Sequence, residues 1–251
     1  MGDITELTET STQRILSWLE LISVNGDDTS AQIIALCQRG LTPFGNVAAV
    51  CVATNFAGVA RRTLDQLKAR DVKVVAAINA SSASASTRAV ESQTHMALRT
   101  GADEIELVYP IHALLGGNRQ LGAQLVAACK AACGRRTALT VTLETGVLRD
   151  PQIIREVCHE SILTGANFLK TSTGKANVNA TPQATRIMIE AIAETGGQVG
   201  LKVVGGFRSI DEANIYLQMA ASRFGPYWLE SGRLRLGAPS LLVEVFEPLP
   251  Q

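Results

Sequence analysis

Short runs of β-branched and aliphatic residues recur along the chain. Each is followed by a longer segment with apolar residues at three- and four-residue spacing. The runs cover 19–24, 46–53, 72–79, 103–110, 137–144, 166–172, 199–205 and 233–237. Runs of this length and composition predict buried strands, the first and last having the thinnest apolar signal. The segments between them carry helix boundary signals. Asp150–Pro151 opens one, Ile153, Ile154, Val157 and Cys158 form its stripe, and Gly165 closes it. Thr181–Pro182 opens another, with Ile187, Ala191 and Ile192 as its apolar side. Ser209 and Glu212 have capping-box spacing before a third. Asp28 or Thr29 caps an early helix that ends near Gly40.

Eight strand–helix units within 251 residues predict an α/β fold of the (β/α)8 TIM-barrel type. The alternative, an open doubly wound sheet, needs fewer strands or longer crossovers. No linker, low-complexity segment or break in composition divides the chain. The expectation is therefore one domain over 1–251, with an N-terminal helix at about 5–18 and the barrel at about 19–245. The related stretches 100–107 and 164–171, each a helix-stopping glycine leading into a strand, are what repeated βα units produce.

Three of the runs break the apolar pattern with charge. Strands of a parallel barrel are covered by helices outside and by packed side chains inside, so a mid-strand charge is costly unless paired. In 103–110, Ile105 and Leu107 share one face, and Glu104 and Glu106 the other. In 166–172, Phe168 and Lys170 lie opposite Leu169; in 199–205, Lys202 lies opposite Leu201 and Val203. Turning the apolar residues toward the helices points Glu106, Lys170 and Lys202 into the barrel. Lys170 and Lys202 then stand near the C-terminal ends of consecutive strands, where barrel active sites form. Their mutual repulsion and partial burial are expected to lower the pKa of at least one. A neutral amine suits Schiff-base chemistry, and a nearby carboxylate can move its protons. A buried ion-pair network explains the same pattern, and periodicity alone does not choose between the two.

Composition narrows the partners. The formal net charge is zero, which argues against nucleic acid or an anionic membrane as the main partner. No apolar run approaches a membrane span, and the polar, acidic start is unlike a signal peptide, so a cytoplasmic protein is expected. Five cysteines, Cys37, Cys51, Cys129, Cys133 and Cys158, form no zinc spacing. Cys129 and Cys133 fall on one helix face and read as buried thiols rather than a metal pair.

The segments after the last three strands are rich in glycine: 170–182, 202–209 and 235–240. Glycines there let backbone N–H groups approach an anion, a recurrent phosphate site in such barrels, and Lys175 and Arg208 could add positive charge. The stretch STGK at 172–175 is not a Walker loop, because Leu169 stands where its first glycine belongs and Ala176 follows the lysine. Singly, each glycine reads as a turn residue; together they favour an anion site.

GANFLKTSTGK (165–175) is similar to the Schiff-base segment of deoxyribose-phosphate aldolases, and LKVVGGFR (201–208) resembles their second-lysine segment. TPFGNVAAVCV (42–52), GADEIELV (101–108), LETG (143–146) and NATPQATRIMIE (179–190) match in the same order. The resemblance runs from about 14 to 242 and is nearest the longer bacterial branch. It implies reversible cleavage of 2-deoxy-D-ribose 5-phosphate to glyceraldehyde 3-phosphate and acetaldehyde, with no cofactor. It implies Lys170 as the Schiff-base nucleophile, Lys202 as the lysine that depresses its pKa, and Glu106 as the strand-four acid of proton transfer. It puts Gly174, Lys175, Gly205, Gly206, Gly237 and Ser240 on the phosphate-binding segments, with Cys51 and Thr173 near the substrate. It also implies a homodimer.

The chain departs from that pattern. Glutamate replaces aspartate at Glu20, a substrate-side position, and at Glu106. Ile22 replaces a threonine near the polar end of the substrate. NASSAS (79–84) replaces the N-F-P-x-G run, Pro239 replaces a serine, and the C-terminal tyrosine tail is missing. Each longer acid moves its carboxylate by ~1.5 Å, about one carbon–carbon bond. Paired changes at Glu20 and Glu106 could compensate one another.

Overall fold

The computed structural model describes residues 12–80, 86–238 and 240–242. Eight parallel strands form one sheet in chain order: β1 (Glu20–Ser23), β2 (Ala49–Ala53), β3 (Lys73–Ile78), β4 (Glu104–Val108), β5 (Ala138–Thr142), β6 (Phe168–Lys170), β7 (Gly200–Val204) and β8 (Leu234–Gly237). The sheet closes into a barrel between β8 and β1. There the Leu236 N–H donates to the Trp18 carbonyl at 2.8 Å, and Leu19 bridges Leu236 in parallel. The strands fall inside the predicted runs and are shorter. At 46–53 the first residues belong elsewhere: Asn46 is in a small antiparallel hairpin, Leu41–Thr42 with Gly45–Asn46, which turns at Gly45 with a positive φ of 134°.

Seven main helices alternate with the strands: α1 (Ser30–Arg39), α2 (Ala57–Gln66), α3 (Thr87–Thr100), α4 (Gln120–Cys133), α5 (Pro151–Thr164), α6 (Pro182–Glu194) and α7 (Ile210–Phe224). Of the two caps considered for α1, Thr29 is the one used, in a full capping box with Gln32. Asp28 instead accepts from Ser23 and Asn25. Asp150, Thr181 and Ser209 cap α5, α6 and α7 as read from sequence. Glu212 completes only half of the α7 capping box, because its side chain accepts from the Arg208 N–H rather than that of Ser209. Residues 12–16 are helical and 17–18 form a turn; residues 5–11 of the N-terminal helix expected at 5–18, positions 81–84 of the NASSAS stretch, and Pro239 lie outside the described residues. All five cysteines are free and buried. No described helix is long and apolar enough to cross a membrane.

Alternation along each strand sorts the side chains into two cores. Leu21, Val50, Val74, Ile105, Leu107, Val141, Leu169, Leu201 and Leu236 face outward into the layer shared with the helices. The inward set is split by chemistry. Ala49 and Cys51 of β2 with Val75 and Ala77 of β3 make a small apolar half. The remaining arc holds buried charge: Glu20 on β1, Glu104 and Glu106 on β4, Lys170 on β6, Lys202 on β7 and Arg235 on β8.

Candidate active site

Strand register brings these charges together. Lys170 pairs across to Lys202, and Lys202 to Arg235, so three cations stand in adjacent rows. Three carboxylates interleave them. The Lys170 ammonium donates to both oxygens of Glu106 at 2.8 Å and lies 3.7 Å from Glu20 Oε1. The Lys202 ammonium donates to Glu20 Oε2 at 2.8 Å and lies 3.6 Å from Glu104. Arg235 forks onto Glu104 at 2.8 and 2.6 Å and reaches Glu20 at 3.3 Å. Lys202 and Arg235 both stand over the Phe168 ring, 5.2 and 5.3 Å from its centroid. Cys51 Sγ sits 3.7 Å from Glu106 Oε2.

Three positive and three negative groups balance, which is what allows them to be buried. The balance reverses one sequence-based expectation. Burial pushes the Lys170 pKa down, but the charges of Glu106 and Glu20 outweigh it and hold the amine above the ordinary lysine value. Repulsion between the lysines and the presence of Glu106 were legible from spacing; that the carboxylates would outweigh the repulsion was not. Glu20 is shifted the other way. Burial raises it, but Lys202, Lys170 and Arg235 together pull it down to about 2. Burial beside Glu106 pushes the Cys51 thiol well up, so it stays protonated. Glu20, Cys51 and Glu106 each bring a ligand atom within 4.8 Å of one another, as a metal site would. The Lys170 ammonium, bonded to both Glu106 oxygens, already supplies the balancing cation.

Above the charges, at the C-terminal mouth, lies a cavity of about 260 Å³. Thr173, Gly174, Lys175, Gly205, Gly237 and Ser240 all line it, and Ile22 adds an apolar wall. Gly206 does not line it: its α-carbon is packed against the Ala180 carbonyl, which a Cβ would meet at 2.2 Å. Arg208 is exposed and also outside the lining. The Lys175 ammonium is turned onto the Val24 carbonyl across the mouth. That lysine also borders a second cavity of about 630 Å³ over β1–β3, with Asn25, Asp28, Thr54 and Gln93.

Arg235 and Glu104 belong to the charged cluster; Arg235 was not singled out from sequence, and Glu104 was placed on the face of Glu106 but given no role. Their signal was available: Arg235 alternates with Leu234 and Leu236 as Lys202 does with Leu201 and Val203. Glu144 was passed over as well. It is buried directly after β5 and accepts the Thr173 backbone N–H.

Comparison with known proteins gives this geometry a context. Residues 21–233 match the model of the DeoC/LacD family aldolases. A proposed deoxyribose-phosphate aldolase from Toxoplasma gondii ME49 superposes with a TM-score of 0.87 at 22% identity, over 97% of this chain and 95% of that one. A second, from Coccidioides immitis, gives 0.79 at 24%, over 94% and 87%. The tetrameric deoxyribose phosphate aldolase of Aeropyrum pernix gives 0.76 at 18%, over 99% and 100%. At these identities the solved structures establish the shared barrel.

Proposed function

Because the chain belongs to the DeoC/LacD family of aldolases, we propose that it is a class I aldolase that cleaves 2-deoxy-D-ribose 5-phosphate reversibly through a Schiff base on Lys170. The observation that carries this reading is a buried lysine whose ammonium touches both oxygens of a carboxylate, beside a second lysine and beneath a glycine-lined mouth. The DeoC/LacD match supports the aldolase class, and the sugar-phosphate substrate follows from the resemblance at 165–175 and 201–208.

Glu106 takes a proton from the Lys170 ammonium, and the freed amine adds to C1 of the open-chain sugar. The carbinolamine oxygen takes a proton back and leaves as water, giving a protonated imine. A base in the cluster removes the C3 hydroxyl proton, and the C2–C3 bond breaks with its electron pair drawn toward the imine. Glyceraldehyde 3-phosphate departs, leaving two carbons on Lys170 as an enamine. Protonation at C2 and addition of water release acetaldehyde and restore the amine. Lys202, paired with Glu20, keeps positive charge beside the imine and offers a proton route. Thr173, Gly174, Lys175, Gly205, Gly237 and Ser240 hold the phosphate, with Cys51 against the reacting carbons.

The test is borohydride reduction in the presence of acetaldehyde or the sugar phosphate, with peptide mass mapping. The expected result is a stable adduct on Lys170; turnover with no adduct there overturns the reading. A second reading, an aldolase of altered aldehyde preference, is favoured by Ile22, whose apolar side chain lines the mouth cavity. Strong preference for an unphosphorylated or larger aldehyde in a substrate panel would select it. Assembly as a homodimer is part of the same proposal, and light scattering that gives another stoichiometry refutes that part.

A further inference from the structure

We propose that Glu144 is a positioning residue that sets the Thr173–Lys175 segment to receive the substrate phosphate, an inference that rests on the sugar-phosphate reading above. Past the end of β5 the chain continues to bond to the segment that follows Lys170. The Leu143 N–H donates to the Lys170 carbonyl at 3.0 Å and the Thr145 N–H to the Thr171 carbonyl at 2.9 Å. Between them Glu144 adopts the left-handed conformation, φ 49° and ψ 53°, which a side-chain-bearing residue rarely takes. That twist turns its carboxyl back over the same segment, where Oε1 accepts the Thr173 N–H. Thr173 Oγ1 in turn accepts the Lys175 N–H at 3.3 Å, and Gly174 between them has φ 88°. One carboxyl thus fixes the first residue of a turn whose three members all line the mouth cavity.

Two features of Glu144 are costly to the fold. Its backbone is strained, and its second oxygen, Oε2, is buried without a hydrogen-bond partner among the described residues. A residue kept for stability alone would avoid both. They are explained if the position is held for the site: Glu144 fixes Thr173, three residues beyond the end of β6 at Lys170, where a displaced turn would draw Lys175 and the Gly174 backbone away from the anion.

The test compares kcat/KM for 2-deoxyribose 5-phosphate with that for unphosphorylated 2-deoxyribose in wild type, Glu144→Ala and Glu144→Gln. Glutamine keeps an acceptor for the Thr173 N–H and alanine removes it, while the backbone strain is common to all three. The ratio is expected to fall fivefold or more in Glu144→Ala and to return toward wild type in Glu144→Gln. A smaller fall, with both substrates losing activity in parallel, or a failure of glutamine to restore the ratio, overturns the inference. Should the alanine variant not fold, Glu144→Asp, whose shorter side chain withdraws the acceptor, must show the fall. Turnover by the wild-type protein with no borohydride adduct on Lys170 would sink the Schiff-base reading separately. Titration with inorganic phosphate then decides the role of Glu144 alone: binding at least fivefold weaker in Glu144→Ala supports it, and a smaller change overturns it.

Discussion

Both carboxyl oxygens of Glu106 lie 2.8 Å from the Lys170 ammonium nitrogen, and the pair is sealed from solvent. This contact fixes the sign of the pH dependence. Glu106 and Glu20 hold Lys170 protonated against the opposing effect of burial, so the free amine grows as pH rises. Under the Schiff-base reading, kcat/KM is expected to climb through mildly alkaline pH. Glu106→Gln removes the largest charge holding the proton, so the rising limb should move to lower pH. The same change removes the proton acceptor, and kcat should fall on the order of 10²–10⁴-fold. Glu106→Asp keeps the charge but withdraws it by ~1.5 Å, which can cost on the order of 10²-fold. A pH–rate profile whose limb stays in place in Glu106→Gln would refute the assignment.

Glu20 sets the acid stability. Its pKa is pulled to about 2 from an ordinary 4.5 by Lys202, Lys170 and Arg235, against the upward effect of burial. A depressed carboxylate contributes stability that is present in full above 4.5 and is lost as pH falls toward 2. Glu20→Gln leaves three buried cations facing two carboxylates, and breaking such a network costs about 3–5 kcal/mol at neutral pH. The deficit relative to wild type should shrink below pH 4.5, as Glu20 takes up its proton first in the unfolded chain and then, near pH 2, in the folded one. Thermal unfolding from pH 7 to 2 reads this; a deficit constant across that range would exclude it.

The barrel was legible because its strand runs and helix caps are local signals, as at Asp150–Pro151 and Thr181–Pro182. The inward turn of Lys170 and Lys202 followed from alternation, since their neighbours Leu169, Leu201 and Val203 must meet the helices. The sign of the Lys170 shift did not follow. It depends on distances to Glu106 and Glu20, residues 64 and 150 positions away in sequence, and only closure of the barrel sets them. Arg235 was missed because its strand is short and its run, with Arg233 beside it, has the thin apolar signal noted for the last of the eight. Glu144 closes the predicted run 137–144 in phase with Thr140 and Thr142, but the strand stops at Thr142, and the left-handed backbone that aims its carboxyl has no signature in the alternation.

Arg235 and Glu104 should behave as one unit. Their fork, at 2.8 and 2.6 Å, lies deep among the other charges. Removing one partner leaves an uncompensated buried charge, so Arg235→Met or Glu104→Gln alone should cost about 3–5 kcal/mol. Removing both leaves the Glu20, Glu106, Lys170 and Lys202 charges balanced, and the double variant should lose less than the sum of the singles by more than about 1 kcal/mol. Urea unfolding of the four proteins measures the coupling. Strict additivity would show that the two act independently despite the contact.

Gly205 and Gly206 are consecutive, and both have positive φ, 67° and 79°, but they should fail differently. A Cβ on Gly205 would meet the Cβ of Asn179 at 2.8 Å, a tight contact that a small shift of the chain at Asn179 relieves. A Cβ on Gly206 would meet the Ala180 carbonyl oxygen at 2.2 Å, and backbone at that point cannot move without shifting the start of α6. Both alanine variants bear the conformational cost of about 1–2 kcal/mol for a left-handed residue. Gly206→Ala adds the backbone clash and should be clearly the less stable of the two in thermal unfolding. Gly205 lines the mouth cavity and Gly206 does not, so the functional order is reversed. Under the sugar-phosphate reading, and relative to its loss of stability, Gly205→Ala should raise KM for 2-deoxyribose 5-phosphate more than Gly206→Ala does. Equal unfolding temperatures for the two variants would refute the packing argument, and equal KM values would refute the separation of roles.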